Sequence, residues 1–256
     1  MEDRIKHIIL KISIVGYNIK YLKGSLNMKC KNIILSCIIV LSLIFVFTPS
    51  SYAKLGGDIF IKNGSREKKL IALTFDDGPH PKETNEVLDV LNKHKVKATF
   101  FIAGKHANWY KEPLIRASKE GHEIGNHTFN HPDITNLSSS QIEDEILKCE
   151  KTLVELTGKK PNLFRPPYGS YKEESLAKIA KKLDYKIVLW TTLDAKDWKN
   201  PGAKSISDTI IKNAKNGDII LLHDYATKDT VEALDILIPE MKSRGFEFVT
   251  VSELID

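Results

Sequence analysis

The sequence of 256 residues predicts an α/β fold in which parallel strands close into a barrel. From residue 70 onward, short apolar runs typical of buried strands alternate with longer segments of helical periodicity. Glycine, proline and other turn residues separate these segments. Acidic and histidine side chains follow several predicted strand ends, and the carboxyl edge of a parallel barrel is where active sites lie.

Seven strands and six helices are predicted. The strands fall at 70–75, 97–102, 123–125, 162–164, 186–190, 218–222 and 246–249. The helices fall at 82–94, 113–120, 138–157, 172–183, 204–216 and 230–244. Segment 58–61 is a candidate for a short additional strand. Gly158 and Gly245 are predicted to end helices, and Ser140 with Glu143 is predicted to form a capping box.

The most informative segment is 74–79, at the end of the first of the seven strands. Its two adjacent acids, Asp76 and Asp77, meet a Gly-Pro turn signal. One carboxylate of such a pair can bind a metal ion while its neighbour handles a proton. The plain alternative is a solvated Asp-Asp-Gly-Pro turn, and the segment alone does not decide between the two.

A second cluster contains His127 and His131. Two imidazoles four residues apart can bind one ion if the segment makes a helical turn, although a loop pair without a ligand is the commoner case. Gly125 and Pro132 favour a loop over the interior of a long helix. Together with Asp77, the pair would form a two-histidine, one-carboxylate set that leaves coordination positions open for water and substrate.

Three later segments carry polar residues of the same kind. Segment 165–169 is a basic turn locked by prolines, and segments 194–198 and 221–224 lie at predicted strand ends. Each of them alone has a structural explanation, as a turn or as a hydrogen-bonded histidine. Five such segments in this order, four of them at or just past a strand end, predict a single catalytic site.

In these five segments the chain resembles the polysaccharide deacetylase family, also called the NodB-homology or carbohydrate esterase family 4 domain. The resemblance extends over roughly the last three quarters of the chain. It implies a distorted (β/α)7-type barrel with the active site at the carboxyl ends of the strands. It also implies an enzyme that removes acetyl groups from N-acetylated sugars with the help of a metal ion.

The resemblance implies a role for each candidate residue. Asp76 matches the catalytic base, and Arg165 matches the arginine that orients this base and keeps it ionised. His223 matches the general acid. Its carboxylate partner is Asp197, although Asp194 lies close enough in the sequence to compete. The residues that match the metal ligands are Asp77, His127 and His131.

The chemistry expected of this set is amide hydrolysis. A divalent ion, with zinc first and cobalt, nickel, manganese or iron as alternatives, would polarise the amide and activate water. Asp76 would take a proton from that water as base, and His223 as acid would protonate the leaving amine. The backbone N–H of Tyr168 is implied as the oxyanion donor. Trp198 or Trp190 would form an apolar wall against a sugar ring, and core packing explains these two tryptophans equally well.

Charge argues against a nucleic-acid partner. The formal net charge is +5, but seven of the 38 basic residues and only two of the 33 acidic ones lie within 1–53. Residues 54–256 therefore hold 31 of each sign. Residues 54–256 therefore carry neither the excess of basic residues typical of a nucleic-acid-binding protein nor the charge asymmetry typical of a membrane-surface protein.

The basic N-terminal part has the three regions of an export signal. Residues 29–31 include two lysines, an apolar run follows at 33–47, and the small residues at 51–53 fit cleavage after Ala53. We therefore predict a signal peptide at 28–53. The apolar run is 15 residues long, which is short for a membrane span, so an uncleaved membrane anchor is the lesser alternative.

The remaining boundaries follow from this assignment. Because signal peptides begin near the initiator, Met28 is the predicted start, and 1–27 is then a mis-assigned upstream extension. Residues 54–69 form a lead-in, and 70–256 form the catalytic domain. An exported, extracellular or cell-wall-associated monomer is expected.

Cysteine usage indicates metal ligation by nitrogen and oxygen. Past Ala53 the sequence contains a single cysteine, Cys149, which is predicted to be a core residue because it follows the apolar spacing of its helix. His80 follows the first segment and is expected near the site without being a ligand. Three further histidines are expected to be structural: His94, His106 and His122.

Three functions remain open from the sequence. The first is removal of N-acetyl groups from a cell-wall polysaccharide, with peptidoglycan ahead of chitin-like oligomers and no preference between GlcNAc and MurNAc. The second is a metal-dependent amidase acting on a non-sugar amide, which the export signal disfavours. The third is a non-catalytic glycan-binding relative, which the complete set of candidate residues disfavours.

Overall fold

A computed structural model describes residues 59–191 and 194–256. The upstream extension at 1–27, the signal peptide at 28–53 and the first part of the lead-in at 54–69 lie outside the described residues. Among the residues that are described, no helix is both long and apolar enough to cross a membrane.

Eight parallel strands form one sheet. They are β1 (Phe60–Ile61), β2 (Leu70–Asp76), β3 (Thr99–Ile102), β4 (Glu123–Asn126), β5 (Leu163–Phe164), β6 (Lys186–Val188), β7 (Ile219–His223) and β8 (Glu247–Phe248). Their order is β1-β6-β5-β4-β3-β2-β7, and β8 pairs with β2 at its first residues. The predicted α/β class is confirmed, and each predicted strand is found with ends shifted by no more than two residues.

The two ends of the sheet approach each other through single bridges rather than a continuous ladder. Asn63 bridges to Asp218 beside β7, and Asp194 bridges to Leu221 within β7. Thr191 also donates its backbone N–H to the carbonyl of Ile219 at 3.1 Å. This interrupted closure makes the barrel distorted, as the resemblance implied.

Eight α-helices occur in the described residues. They are α1 (Glu83–Lys93), α2 (Gly104–Trp109), α3 (Lys111–Lys119), α4 (Ser139–Thr157), α5 (Glu173–Leu183), α6 (Ala203–Asn213), α7 (Lys228–Ser243) and α8 (Val251–Ile255). The prediction contained neither α2 nor α8, because six and five residues are too short to show a helical period.

The predicted capping box, Ser140 with Glu143, is wrong by two positions for each member of the pair. Ser138 is the N-cap of α4, because its backbone is extended, and its side chain accepts the N–H of Gln141 while Gln141 accepts the N–H of Ser138. Glu143 instead forms an ion pair with Lys182. Gly158 ends α4 in the left-handed conformation with φ 73°, as predicted.

The alternation of side chains along β2 positions the site. One face of this strand packs under the helices, and the residues on it are Ile71, Leu73 and Phe75. The other face points into the barrel, where Ala72 packs in a cluster with Phe101 and Val188. Because side chains alternate along a strand, Asp76 follows Ala72 onto the inner face. The last residue of β2 therefore brings a carboxylate to the mouth of the barrel.

Candidate active site

Arg165 lies fully buried beside Asp76 and determines how that carboxylate is presented. Its Nη1 atom donates to Oδ1 of Asp76 at 2.6 Å and to Oγ1 of Thr74 at 2.8 Å. Nε and Nη2 donate to the carbonyls of Val188 and Leu189. Burial lowers the pKa of Arg165, and the Asp76 carboxylate opposes that shift. The guanidinium group therefore holds one oxygen of Asp76 and leaves the other for chemistry.

That second oxygen faces a cluster of three potential ligands. Oδ2 of Asp76 lies 3.8 Å from Nε2 of His127. Asp77 lies beside them, with its Oδ1 atom 3.4 Å from Nε2 of His127 and 3.0 Å from Nε2 of His131. One atom from each of Asp77, His127 and His131 lies within 4.8 Å of the others. The structure thus brings together the three residues that the sequence proposed as metal ligands.

The histidines converge through a loop and not through a helical turn. Thr128 and His131 both have left-handed backbones, with φ of 67° and 57°. Glu145 of α4 holds this loop, since its Oε2 atom accepts the N–H groups of Phe129 at 3.0 Å and Asn130 at 2.7 Å. Glu145 therefore holds the middle of the loop between the two histidines.

The chemistry of the three side chains fits a divalent cation. Oδ1 of Asp77 is buried and has no hydrogen-bond partner among the described residues. Nδ1 of His127 donates to the carbonyl of Arg165 at 2.7 Å, so the lone pair of a neutral ring lies on Nε2, facing Asp77. Burial raises the pKa of Asp77, but His127 and His131 outweigh it, and that pKa lies well below its usual range.

His223 ends β7 on the other side of Asp76. Its Nδ1 atom lies 2.8 Å from Oδ1 of Asp197, and its backbone N–H donates to Oδ2 of the same residue at 2.7 Å. Burial lowers the pKa of His223, but the hydrogen bond and charge of Asp197 raise it to about 9. Asp194, the alternative partner in the sequence, accepts the N–H of Lys196 instead.

Aromatic side chains border the open side of the site. Tyr168 has φ of 59°, and its exposed ring lies 4.7 Å from that of His131. Trp198 is about half exposed, at 52%. Trp190 lies so close to Gly169 that an added Cβ atom there would come within 2.6 Å of its ring. A cavity of about 500 Å³ is lined by Asp76, Asp77, His127, His131, Tyr168, Trp190, Asp194, Trp198, Leu221 and His223.

Two residues beside the site were given no role by the sequence. Asp224 is fully buried and accepts the N–H of Gly78 at 3.1 Å and the hydroxyl of Thr84 at 2.6 Å. Burial raises the pKa of Asp224 to about 7. The sequence signal that could have indicated a role for Asp224 was its position directly after His223. His106, expected to be only structural, donates from Nδ1 to the carbonyl of Asp77 at 2.6 Å, and the unpredicted helix α2 carries it there.

His80, His94 and His122 lie in the segments that the sequence predicted for them. His80 packs at the start of α1, where its Nδ1 atom accepts the N–H of Lys82 at 3.3 Å. His94 pairs with Asp235, and His122 packs edge-on against Phe100 in the core. Among the described residues these three histidines therefore stay outside the ligand cluster.

Known proteins share this sequence and this fold. The family model for polysaccharide deacetylases matches residues 63–188. The chain is 47% identical over 191 residues to a peptidoglycan-N-acetylglucosamine deacetylase of Bacillus cereus, and the match covers 73% of this chain and 89% of that protein. It is 42% identical over 188 residues to the peptidoglycan-N-acetylmuramic acid deacetylase PdaC of Bacillus subtilis, of which it covers 39%.

The fold comparison agrees with the sequence comparison. The crystal structure of a peptidoglycan N-acetylglucosamine deacetylase superimposes with a TM-score of 0.75 and 37% sequence identity. The superposition covers 82% of this chain and 97% of that structure.

Proposed function

The chain belongs to the polysaccharide deacetylase family and is a hydrolytic N-deacetylase; on this premise we propose that it removes N-acetyl groups from the glycan strands of peptidoglycan. Two relatives are named for deacetylation of N-acetylglucosamine and of N-acetylmuramic acid in peptidoglycan, and these names support this substrate class. Both amino sugars remain candidates for the deacetylated position.

The observation that carries the proposal is the pair formed by Asp76 and Arg165. A carboxylate whose Oδ1 atom is held at 2.6 Å by a buried guanidinium has a fixed orientation. Its Oδ2 atom then faces the ligand cluster, 3.8 Å from His127. A general base needs this combination of fixed direction and one free oxygen beside the site of water activation. Asp76 is therefore proposed to take the proton from the attacking water.

Asp77, His127 and His131 are proposed to hold one divalent cation, with zinc as the first candidate. When bound, the cation would polarise the acetyl carbonyl and make water more acidic. The hydrogen bond from Nδ1 of His127 to the Arg165 carbonyl orients the imidazole ring so that Nε2 would face the cation.

His223 is proposed to protonate the leaving amine. Asp197 holds its ring through Nδ1, so the opposite nitrogen, Nε2, is directed away from that carboxylate. A pKa of about 9 keeps the ring protonated near neutral pH, which an acid requires. The backbone N–H of Tyr168 is proposed to bind the developing oxyanion. The bonds that close this turn are donated by Gly169 and Ser170, so its closure does not require that N–H group.

The substrate is proposed to reach the site from outside the cytoplasm. Peptidoglycan lies beyond the membrane, which agrees with the export signal expected at 28–53. A cleaved signal would give a wall-associated or extracellular protein, and an uncleaved one would leave it anchored at 33–47.

Acetate release by the purified protein tests this function. Peptidoglycan, chitin oligomers and a simple N-acetylated amine are supplied in parallel, each with chelator or with added zinc. Chelator-sensitive release from peptidoglycan is the expected result, and its products identify the deacetylated sugar. Release from the simple amide alone would favour the non-sugar amidase. Glycan binding without release from any substrate, with metal present, would favour a binding protein.

A further inference from the structure

The first residues of the strands lie at the end of the barrel opposite the candidate active site. The strands are parallel, and Asp76 and His223 are the last residues of β2 and β7. The segments that lead into the strands therefore come together at the other end. We call the surface that they form the basal face. Its segments are 62–70, 90–99, 116–123, 154–163, 180–186, 210–219 and 240–256.

Contacts join the segments of the basal face to one another. Nζ of Lys69 donates to the carbonyl oxygen of Arg244 at 2.9 Å, and Nζ of Lys160 donates to that of Leu183 at 3.2 Å. The C-terminal helix α8 closes the barrel at this end, because its residue Leu254 packs in the inner cluster. The segments therefore form one surface around the closed base of the barrel.

Positive charge is concentrated on the basal face. Its segments contain 18 lysine and arginine residues but only 10 aspartate and glutamate residues. The other described residues contain 12 basic and 20 acidic ones. The charges cancel when they are counted along the chain, but the fold separates them. The domain therefore has the charge asymmetry of a surface-binding protein, which its composition does not reveal.

Many of the lysines on the basal face are available to a partner. An exposed lysine that forms no ion pair among the described residues precedes each of the strands β2 to β7, and these lysines are Lys68, Lys97, Lys119, Lys159, Lys181 and Lys215. Several acids of the face are already neutralised by arginines of the same face. Asp218 pairs with Arg66, and Glu240 pairs with Arg244. The charge that remains accessible is therefore mainly positive.

Helix stability explains only part of this charge. A cation in the last turn of a helix is favoured in any protein because it meets the negative end of the helix dipole. This explanation applies to Lys119 and Lys181, at the ends of α3 and α5. It does not apply to segment 62–70, which follows a strand and contains four basic residues and one acidic residue.

The chain also enters the catalytic domain on this face. β1 is parallel to β6, and its first residue, Phe60, lies in register with Ile187, the second residue of β6. The apolar run of the predicted export signal ends at residue 47, so 12 residues separate it from β1. A fully extended chain of that length spans about 40 Å at most. An uncleaved signal would therefore tether the domain to the membrane by its basal face.

We propose that the basal face docks on a membrane surface that contains anionic phospholipids, with the active site directed away from the bilayer. The headgroup phosphates attract the exposed lysines, and the same surface repels the acidic remainder of the domain, so the charge separation orients the protein. The place where the chain enters the domain favours a membrane over a free anionic polymer. Docking goes beyond the proposed deacetylation and does not depend on it.

The test measures co-sedimentation of the full chain with vesicles of phosphatidylcholine, alone or mixed with phosphatidylglycerol. The basal variant combines Lys159→Gln, Lys181→Gln and Lys215→Gln. We expect its affinity for the anionic vesicles to fall about a hundred-fold, because each lysine near such a surface contributes about five-fold. Its affinity for the neutral vesicles should not change. Residues 1–53 are the same in every protein compared, so the difference reports on the basal face alone.

The matched control combines Lys111→Gln, Lys172→Gln and Lys228→Gln. These lysines are exposed, lie at the starts of α3, α5 and α7 near the active-site end, and carry the same total charge. The control should bind the anionic vesicles as the wild type does, because salt screens charges at that distance. Equal losses in the two variants would overturn the proposal, since net charge alone would then explain the binding. Unchanged affinity of the basal variant would also overturn it.

Two further measurements separate this proposal from its neighbours. Poly(glycerol phosphate) carries the same phosphate charge without a bilayer, and binding of the wild type to this polymer but not to anionic vesicles would overturn membrane docking in favour of a wall polymer. Acetate release from soluble peptidoglycan fragments should be equal for the basal variant and the wild type. Absence of release from both proteins, with vesicle binding as expected, would reject the proposed deacetylation and leave the docking surface supported.

Discussion

Asp197 binds His223 twice, through the ring at 2.8 Å from Nδ1 and through the backbone N–H at 2.7 Å. Its Oδ2 atom also accepts the hydroxyl of Thr230 at 2.8 Å, and the carboxylate is completely buried. These contacts fix both the tautomer and the orientation of the ring, as in the carboxylate–histidine pairs of other hydrolases. The proposed acid is thereby held rigidly opposite Asp76.

Loss of the Asp197 charge should move the alkaline limit of activity. His223 acts as an acid only when protonated, so activity of the wild type should decline as pH rises through about 9, the pKa of this residue. Asp197→Asn removes the main cause of the raised pKa, and the decline should shift toward the ordinary histidine value of about 6.5. The measurement is kcat/KM for acetate release between pH 5 and 10.

Asp194→Asn is the control for this shift, because among the described residues that side chain accepts the N–H of Lys196 and forms no hydrogen bond or ion pair with His223, whose carboxylate partner is Asp197. It should leave the alkaline limit unchanged. A limit that stays near pH 9 in Asp197→Asn would rule out His223 as the titrating acid.

Arg165→Lys should reduce both stability and activity. Lysine cannot reproduce the four hydrogen bonds of the buried guanidinium group to Asp76, Thr74, Val188 and Leu189. Partial loss of a buried ion pair costs up to about 3–5 kcal/mol in free energy of unfolding. Activity should fall about 100-fold, because Asp76 loses its fixed direction. Urea unfolding and acetate release measure the two effects.

An Arg→Lys substitution at the surface is the control for the loss of stability expected of Arg165→Lys. Arg244 pairs with Glu240 one helical turn away and is about half exposed, so Arg244→Lys should change stability by less than about 0.5 kcal/mol. Equal stability of the two variants would contradict the structural role given to Arg165.

Removal of one ligand should abolish stabilisation by metal. We expect the wild type to gain thermal stability when zinc is added, because binding to the folded state alone stabilises it. His131→Gln should weaken zinc binding at least about 100-fold, as even indirect partners of metal ligands cost 10–100-fold. Competition with a chromophoric chelator measures the affinity.

His94→Gln alters a histidine that pairs with Asp235 away from the site, and it should bind zinc as the wild type does. Unchanged zinc affinity in His131→Gln would remove this residue from the ligand set.

Asp224 should make the protein less stable as pH rises. Its folded pKa of about 7 lies above the unfolded value of 3.8, so between these values the folded state holds a proton that the unfolded state has lost. The free energy of unfolding therefore decreases as pH rises from about 4 to 7, by a few kcal/mol at most. Asp224→Asn should lose this dependence. Unfolding in urea at pH 5 and pH 8 measures it, and identical pH slopes for the two proteins would refute the raised pKa.

Cys149 should resist thiol reagents in the folded protein. The side chain is completely buried, its Sγ atom donates to the carbonyl of Ile102 at 3.4 Å, and burial raises its pKa to about 12. The reactive thiolate is therefore suppressed at pH 8. Peptide mapping after labelling should show Cys149 modified in urea but not in native buffer. Rapid labelling of the native protein would show that α4 opens locally.

Some elements of this fold are specified by local sequence patterns and others only by what they pack against. Long periodic elements and turn residues were visible locally, and thus the strands and the six longer helices were predicted with small shifts at their ends. Helices α2 and α8 were missed because short elements are stabilised by what they pack against and not by their own periodicity. The capping box was misplaced because the N-cap depends on where the chain leaves the extended conformation, which no single residue type specifies.

The sequence by itself determined the order of the five segments and the kinds of side chain they carry, because acids, imidazoles and turn residues at strand ends are readable along the chain. Only the tertiary structure decided which of them meet. Asp197 and not Asp194 holds His223, His106 reaches the carbonyl of Asp77, and Asp224 lies buried beneath Gly78. These contacts join residues between 26 and 146 positions apart. The packing of separate strands decides such distances, and no local pattern encodes them.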